Sequence, residues 1–140
     1  MTDMVIDSCV MRLYDQPKDA RIRDLFVWLH GEGTLCVSRY LLSEYQRQGN
    51  TLVAALIDRL TRRGRFSCIG NAEINSYKRD RHYNYCCNGA DRRHARVVFL
   101  SARKRLVSFD EKLRQDVNGF SKCDGIKPIA VAHPAPAFYR

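Results

Sequence analysis

Asp7, Glu44, Asp91 and Asp110 are the residues whose type and surroundings most suggest chemistry. Asp7 closes the apolar run Met4-Val5-Ile6, and Asp110 follows a second run through Leu106 and Val107. Glu44 lies in a helical stretch just after a third run, and Asp91 opens a helical stretch that leads into the second. Convergence of these acids would be costly, because two carboxylates about 5 Å apart repel by roughly 3 kcal/mol at an effective dielectric near 20. Such a cluster raises its own pKa values or recruits a cation. Oxygen-only ligands select hard ions, so Mg²⁺ or Mn²⁺ is expected rather than zinc. Carboxylate-held ions of this kind activate water and stabilise the leaving oxygen in phosphodiester hydrolysis. Each acid also has an ordinary alternative. Asp7 suits a turn, Asp91 suits a helix N-cap, and Glu44 suits a solvated helix face. Ser108 and Glu111 have the spacing of a capping box around Asp110.

The elements that must position these acids follow from hydrophobic periodicity. Apolar runs over 4–7, 34–38, 66–70, 105–109 and 128–132 read as five strands. Helical patterns fall over 17–33, 39–48, 51–64, 91–104 and 110–117. In the first, Pro17 marks the start, Ile22, Leu25, Phe26 and Leu29 share a face, and Trp28 joins the core. Residues 71–90 are the least regular, a short helix running into a loop. Strands alternating with helices predict a three-layer α/β/α sandwich around a mainly parallel, about five-stranded central sheet. In such sheets ligands bind beyond the carboxyl ends of the strands, where the acids fall.

Composition narrows the function class. The 140 residues suit one domain, and 45% hydrophobic with 28% charged residues is globular. No apolar run is long enough for a membrane helix. Acids stand near the N-terminus where a signal peptide is basic, so a cytoplasmic protein with reduced thiols is expected. Of six cysteines, Cys9, Cys36 and Cys68 lie among apolar residues and read as small buried hydrophobes. His82, Cys86, Cys87 and His94 do not have the spacing of a zinc site. His94, one turn past Asp91, could meet a phosphate or a proton, but a histidine in such a place is more often ordinary helix surface. No P-loop or GxGxxG is present, and Ser38, Ser43 and Ser101 have no His–acid partners for a triad. The 24 Lys and Arg against 15 Asp and Glu give a net charge of +9, which attracts polyanions, nucleic acid first among them. Lys78, Arg79, Arg81, Arg92, Arg93 and Arg96 surround Tyr77, Tyr83 and Tyr85 next to Asp91, so phosphate clamping and base stacking are expected there.

The ordered series of motifs resembles the PIN-domain nucleases, among them the toxin ribonucleases of toxin–antitoxin pairs. VIDSCVM resembles the family's opening strand and first acid, with Ser8 in its hydroxyl position. VSRYLLSEY resembles its second motif, GADRRHARVVFLSARKRLVSFDEKL its third block, and IKPIAVAHPAPAF its last strand and proline-containing tail. The resemblance implies a metal-dependent endoribonuclease in which Asp7, Glu44, Asp91 and Asp110 hold Mg²⁺ or Mn²⁺ and Ser8 supports Asp7 or a water. It implies RNA as substrate, a small acidic antitoxin as a protein partner and a homodimer as a possible assembly. Two positions depart from the pattern. Cys9 stands where the family often has Asn, and Lys112 where many relatives carry a further acid, for which Glu111 or Asp116 could compensate. Two alternatives therefore stay open: a catalytically inactive PIN-like module that binds RNA or protein, and a nuclease directed at DNA.

Overall fold

The computed structural model describes residues 2–140. Strands β1 (Asp3–Ile6), β2 (Thr34–Ser38), β3 (Phe66–Ile69), β4 (Arg105–Val107) and β5 (Ile129–Val131) form one sheet in the order β3-β2-β1-β4-β5, and every pairing is parallel. The helices are α1 (Ser8–Met11), α2 (Ala20–Gly31), α3 (Arg39–Arg47), α4 (Thr51–Arg62), α5 (Asn71–Asn75), α6 (Gly89–Leu100), α7 (Glu111–Gly119) and α8 (Pro136–Tyr139). The chain winds outward from β1 to β3, returns past β1 to β4, and continues to β5. Right-handed crossovers then put the helices of the two legs on opposite faces, giving the expected three-layer sandwich. Val5, Ile6, Leu106 and Val107, on the two strands where the winding reverses, have no exposed surface. That reversal opens a crevice beyond the carboxyl ends of β1 and β4.

Local chemistry sets the element ends. Helix α2 starts at Ala20 rather than Pro17, because the Asp19 carboxylate accepts the Arg21 N–H at 2.8 Å. Helix α4 begins where Asn50 Oδ1 accepts the N–H groups of Leu52 and Val53, and Gly64, at φ 68°, lies just past its end. The capping box expected from Ser108 and Glu111 does not form. Asp110 caps α7 itself, accepting the Leu113 N–H at 3.1 Å. Asn88, not Asp91, caps α6, accepting the Asp91 N–H at 2.9 Å. The far end of α6 is closed by Lys104, whose Nζ donates to the carbonyls of Phe99 and Ser101 at 2.7 and 2.8 Å. The short helices α1 and α8 carry too little periodicity to be legible in the sequence. Because β3 is an edge strand, Cys68 is exposed rather than buried. No helix among the described residues is long and apolar enough to cross a membrane.

Trp28 lies flat against Gly33 and packs on Tyr139 of α8 with ring centroids 5.1 Å apart. A Cβ at Gly33 would sit 2.6–2.8 Å from three carbons of the indole. Gly33→Ala is therefore expected to cost about 1–3 kcal/mol by overpacking. Urea denaturation would measure it, and an unchanged midpoint would mean that the indole moves aside freely.

Candidate metal centre

The centre is built at the crevice between β1 and β4. Asp7 follows β1 directly and caps α1, its Oδ1 accepting the Ser8 N–H at 2.8 Å. Its Oδ2 accepts the Ser108 hydroxyl at 2.6 Å and the Cys9 thiol at 3.5 Å. Ser108, wholly buried just past β4, therefore ties the two central strand ends together. Its own carbonyl accepts from Arg114 Nη1 at 2.9 Å, which fixes the turn.

Glu44 arrives from α3. Its Oε1 accepts the Ser8 hydroxyl at 2.7 Å, and its Oε2 lies 2.6 Å from His94 Nε2. Gln48, one turn further along, donates from Nε2 to the Ser8 carbonyl at 2.8 Å. Below them the Tyr45 hydroxyl donates to the Ile6 carbonyl, locking α3 onto the end of β1. A continuous chain of hydrogen bonds thus runs from Ser108 through Asp7, Ser8 and Glu44 to His94. Asp7, Glu44 and His94 each offer one ligand atom, and these atoms all lie within 4.8 Å of one another.

His94 is not helix surface, as its sequence neighbours suggested. It is 2% exposed, with Nδ1 buried and without a hydrogen-bond partner. The signal that could have found it is its spacing from Asp91, because residues three apart share a helix face. Burial alone would push its imidazole pKa down. The hydrogen bond and charge of Glu44, with Asp7 and Asp91 behind them, carry it above its ordinary value.

The other two acids stand at the rim. Burial and then the charge of Asp110 raise the Asp91 carboxyl above its ordinary range; nearby His94 opposes this, and Asp7 and Glu44 add to it. Asp91 is thus an electrostatic neighbour of each of the other three acids. Burial would also raise Glu44, but its hydrogen bonds from His94 and Ser8 bring it below its ordinary value. The Cys9 thiol is pushed up to about 11 by burial and then by Asp7, so it stays protonated beside the carboxylate.

Asp116 does not serve the centre. Fully buried on α7, it accepts the N–H groups of Cys86 and Cys87 at 2.8 and 2.9 Å. It thereby pins the loop that delivers α6, and Asp91 with it. Glu111 and Lys112 are exposed.

The residues expected to contact nucleic acid divide into two groups. Arg96 is committed inward. Its Nε donates to the buried Asp80 at 2.8 Å, its Nη1 donates to the Ile74 carbonyl at 3.1 Å, and Tyr85 donates to the same Asp80 at 2.5 Å. The Tyr83 hydroxyl donates to the Asp116 carbonyl at 3.1 Å, and its ring packs edge-on against Tyr85 and Phe120. Arg96 and Tyr85 hold the irregular loop to α6 through Asp80, and Tyr83 holds it to α7. Lys78, Arg81, Arg92 and Arg93 are exposed, and Arg79 makes an exposed pair with Asp124 at 3.2 Å.

Compared with known proteins, the chain matches no family model, and no curated protein matches its sequence.

Proposed function

We propose that this protein is a divalent-metal-dependent endoribonuclease of the PIN-domain type, acting as the toxin of a toxin–antitoxin pair whose small acidic antitoxin covers its basic surface. The observation that carries the reading is the convergence of Asp7, Glu44 and His94 at the crevice, with Asp91 and Asp110 at its rim, in a chain of net charge +9.

The donor set fits a cation. Two carboxylates and an imidazole offer ligand atoms within 4.8 Å of one another, and the Asp91 carboxyl is raised first by burial and then by the charge of Asp110, both of which a bound cation would offset. The set is not oxygen-only, as first expected. An imidazole among the oxygens moves the preference from Mg²⁺ toward Mn²⁺. Asp7, Glu44 and Asp91 would hold the ion, with Asp110 and deprotonated His94 completing the set. When bound it would supply Lewis-acid polarisation of the phosphodiester and activation of water.

The remaining work belongs to the chain's own side chains. Ser8 and Ser108 each donate to one carboxylate oxygen, fixing Glu44 and Asp7 and leaving other lone pairs free. Exposed Arg92 and Arg93 directly follow Asp91 in sequence and attract the phosphate backbone. The binding-module reading is favoured by one observation: His94 already meets Glu44 at 2.6 Å and supplies a cation of its own when protonated.

Mixed cellular RNA incubated with pure protein separates the two readings. Cleavage is expected with Mn²⁺ or Mg²⁺ and not with EDTA, and about a hundredfold slower in Asp91→Asn. RNA binding without cleavage under any metal would leave the binding module. Equal cutting of a DNA strand would remove the preference for RNA.

A further inference from the structure

Arg92 and Arg93, adjacent on α6, each lie over a tyrosine. The Arg93 guanidinium is 4.2 Å from the ring centroid of Tyr40 on α3, and that of Arg92 is 5.3 Å from Tyr85. Successive helix residues are rotated by about 100°, so Asp91 and His94 are only about 60° apart and face the metal centre together. On the same wheel, Arg92 lies about 100° beyond Asp91, and Arg93 lies about 100° beyond His94 in the opposite sense. The two arginine–tyrosine stacks therefore stand on either side of the acids.

The Tyr40 stack joins three elements that the sequence keeps apart. Tyr40 precedes Glu44 by one helical turn, and its hydroxyl donates to Asn75 Oδ1 on α5 at 3.2 Å. No carboxylate among the described residues pairs with Arg93, so its outer face and remaining donors are open. A guanidinium held over a ring is a positioned platform. It can stack on a nucleobase and donate to the adjoining phosphate, two needs that only a nucleotide combines.

Resting on the reading under "Proposed function", we infer that Tyr40 and Arg93 form a nucleotide-positioning site on the α3 side of the metal centre, where an unpaired base stacks on the guanidinium and its phosphate is led toward the acids. Duplex RNA, whose bases are stacked within the helix, gains nothing from the platform. Tyr40, absent from the basic stretch that the sequence singles out, thereby becomes a substrate-positioning residue.

Fluorescence anisotropy of a labelled single-stranded RNA of mixed sequence, in EDTA so that nothing is cut, tests the assignment. Tyr40→Ala and Arg93→Ala are each expected to weaken binding about tenfold, the lower part of the range for losing one stacked base. Tyr40→Phe, which keeps the ring, should recover most of the affinity. Arg62→Ala on α4 removes the same charge elsewhere and should change binding less than twofold. Duplex RNA should bind wild type and Tyr40→Ala alike. Arg93 is exposed, so its variant tests the site even if Tyr40→Ala fails to fold, which circular dichroism would reveal. Unchanged single-strand binding in Arg93→Ala would overturn the inference and reduce the stack to helix packing. Competition by polyglutamate as strong as by RNA, with the same dependence on Tyr40, would overturn it in favour of an acidic protein partner. If wild type binds no RNA at all, the nuclease reading falls with it. If wild type binds and cuts RNA but the variants match it, only this inference falls.

Discussion

Asp7→Asn is expected to slow metal-dependent RNA cleavage about a thousandfold while leaving the metal-free protein at least as stable as wild type. The loss corresponds to several kcal/mol of charge stabilisation by a metal, at about 1.4 kcal/mol per factor of ten. The stability follows from what Asp7 does without a cation. It accepts from Ser8, Ser108 and Cys9, and an amide oxygen can keep the strongest of these bonds. Its charge adds, after burial and the charge of Asp110, to what raises the Asp91 carboxyl. Removing it relieves that share of the repulsion, the usual exchange of stability for activity at an acidic site. Calorimetric titration with Mn²⁺ and thermal melting in EDTA provide the two readouts. If Asp7 were only an anchor for the turn, the variant would melt lower and still bind Mn²⁺ as wild type does.

His94→Ala should have the largest effect on stability, about 3 kcal/mol at pH 6. Breaking a buried ion pair costs roughly 3–5 kcal/mol. The lower figure applies because the Glu44 side chain remains 27% exposed. The imidazole pKa is raised in the folded protein, so its contribution is complete below its unfolded value of about 6.5. It is lost as the pH rises through the folded value. Glu44 is lowered, so its share is present above the ordinary carboxylate range and is lost as the pH falls through its folded value. Metal-free protein should therefore be most stable between those limits, with its melting temperature falling as the pH rises from about 6 to 8. With Mn²⁺ the slope should reverse, since an imidazole ligand must first release its proton. His94→Ala should flatten the metal-free slope. A wild-type melting temperature that does not move over this range would exclude a charged His94–Glu44 pair.

The layers of the fold were legible because each strand is a short apolar run and the long helices keep a 3.6-residue period. Strand β2 and the start of α4 fall where periodicity put them. Asp7 and Asp110 could be placed from the sequence because each follows a strand, and Glu44 because it lies in the helix just after one. His94 and Ser108 could not. A histidine on a polar helix and a serine in a capping pattern look ordinary until β1, α3 and α6 are brought together. The same reason explains Arg96 and Tyr85, which read as an RNA surface in sequence but close over Asp80. Asp80, Asp116 and Lys104 show the general difficulty: a buried charge reveals itself through its partners, and those partners are distant or backbone atoms.

The hydrogen bond between Ser108 and Asp7 joins residues 101 positions apart, and the one between His94 and Glu44 spans 50. Strands β1 to β3 and their crossovers can pair early, but β4 must insert beside β1 after the whole return leg has been made. Contacts so far apart in sequence are slow to close, and nascent chains fold from the N-terminal side as they emerge. On the ribosome, therefore, the first three strands can assemble with Asp7 and Glu44 in place while His94, Asp91, Ser108 and Asp110 are still missing. The candidate metal centre is complete only after the chain through Asp110 has emerged, so a translation product interrupted before that point carries the first three strands without the full set of acids.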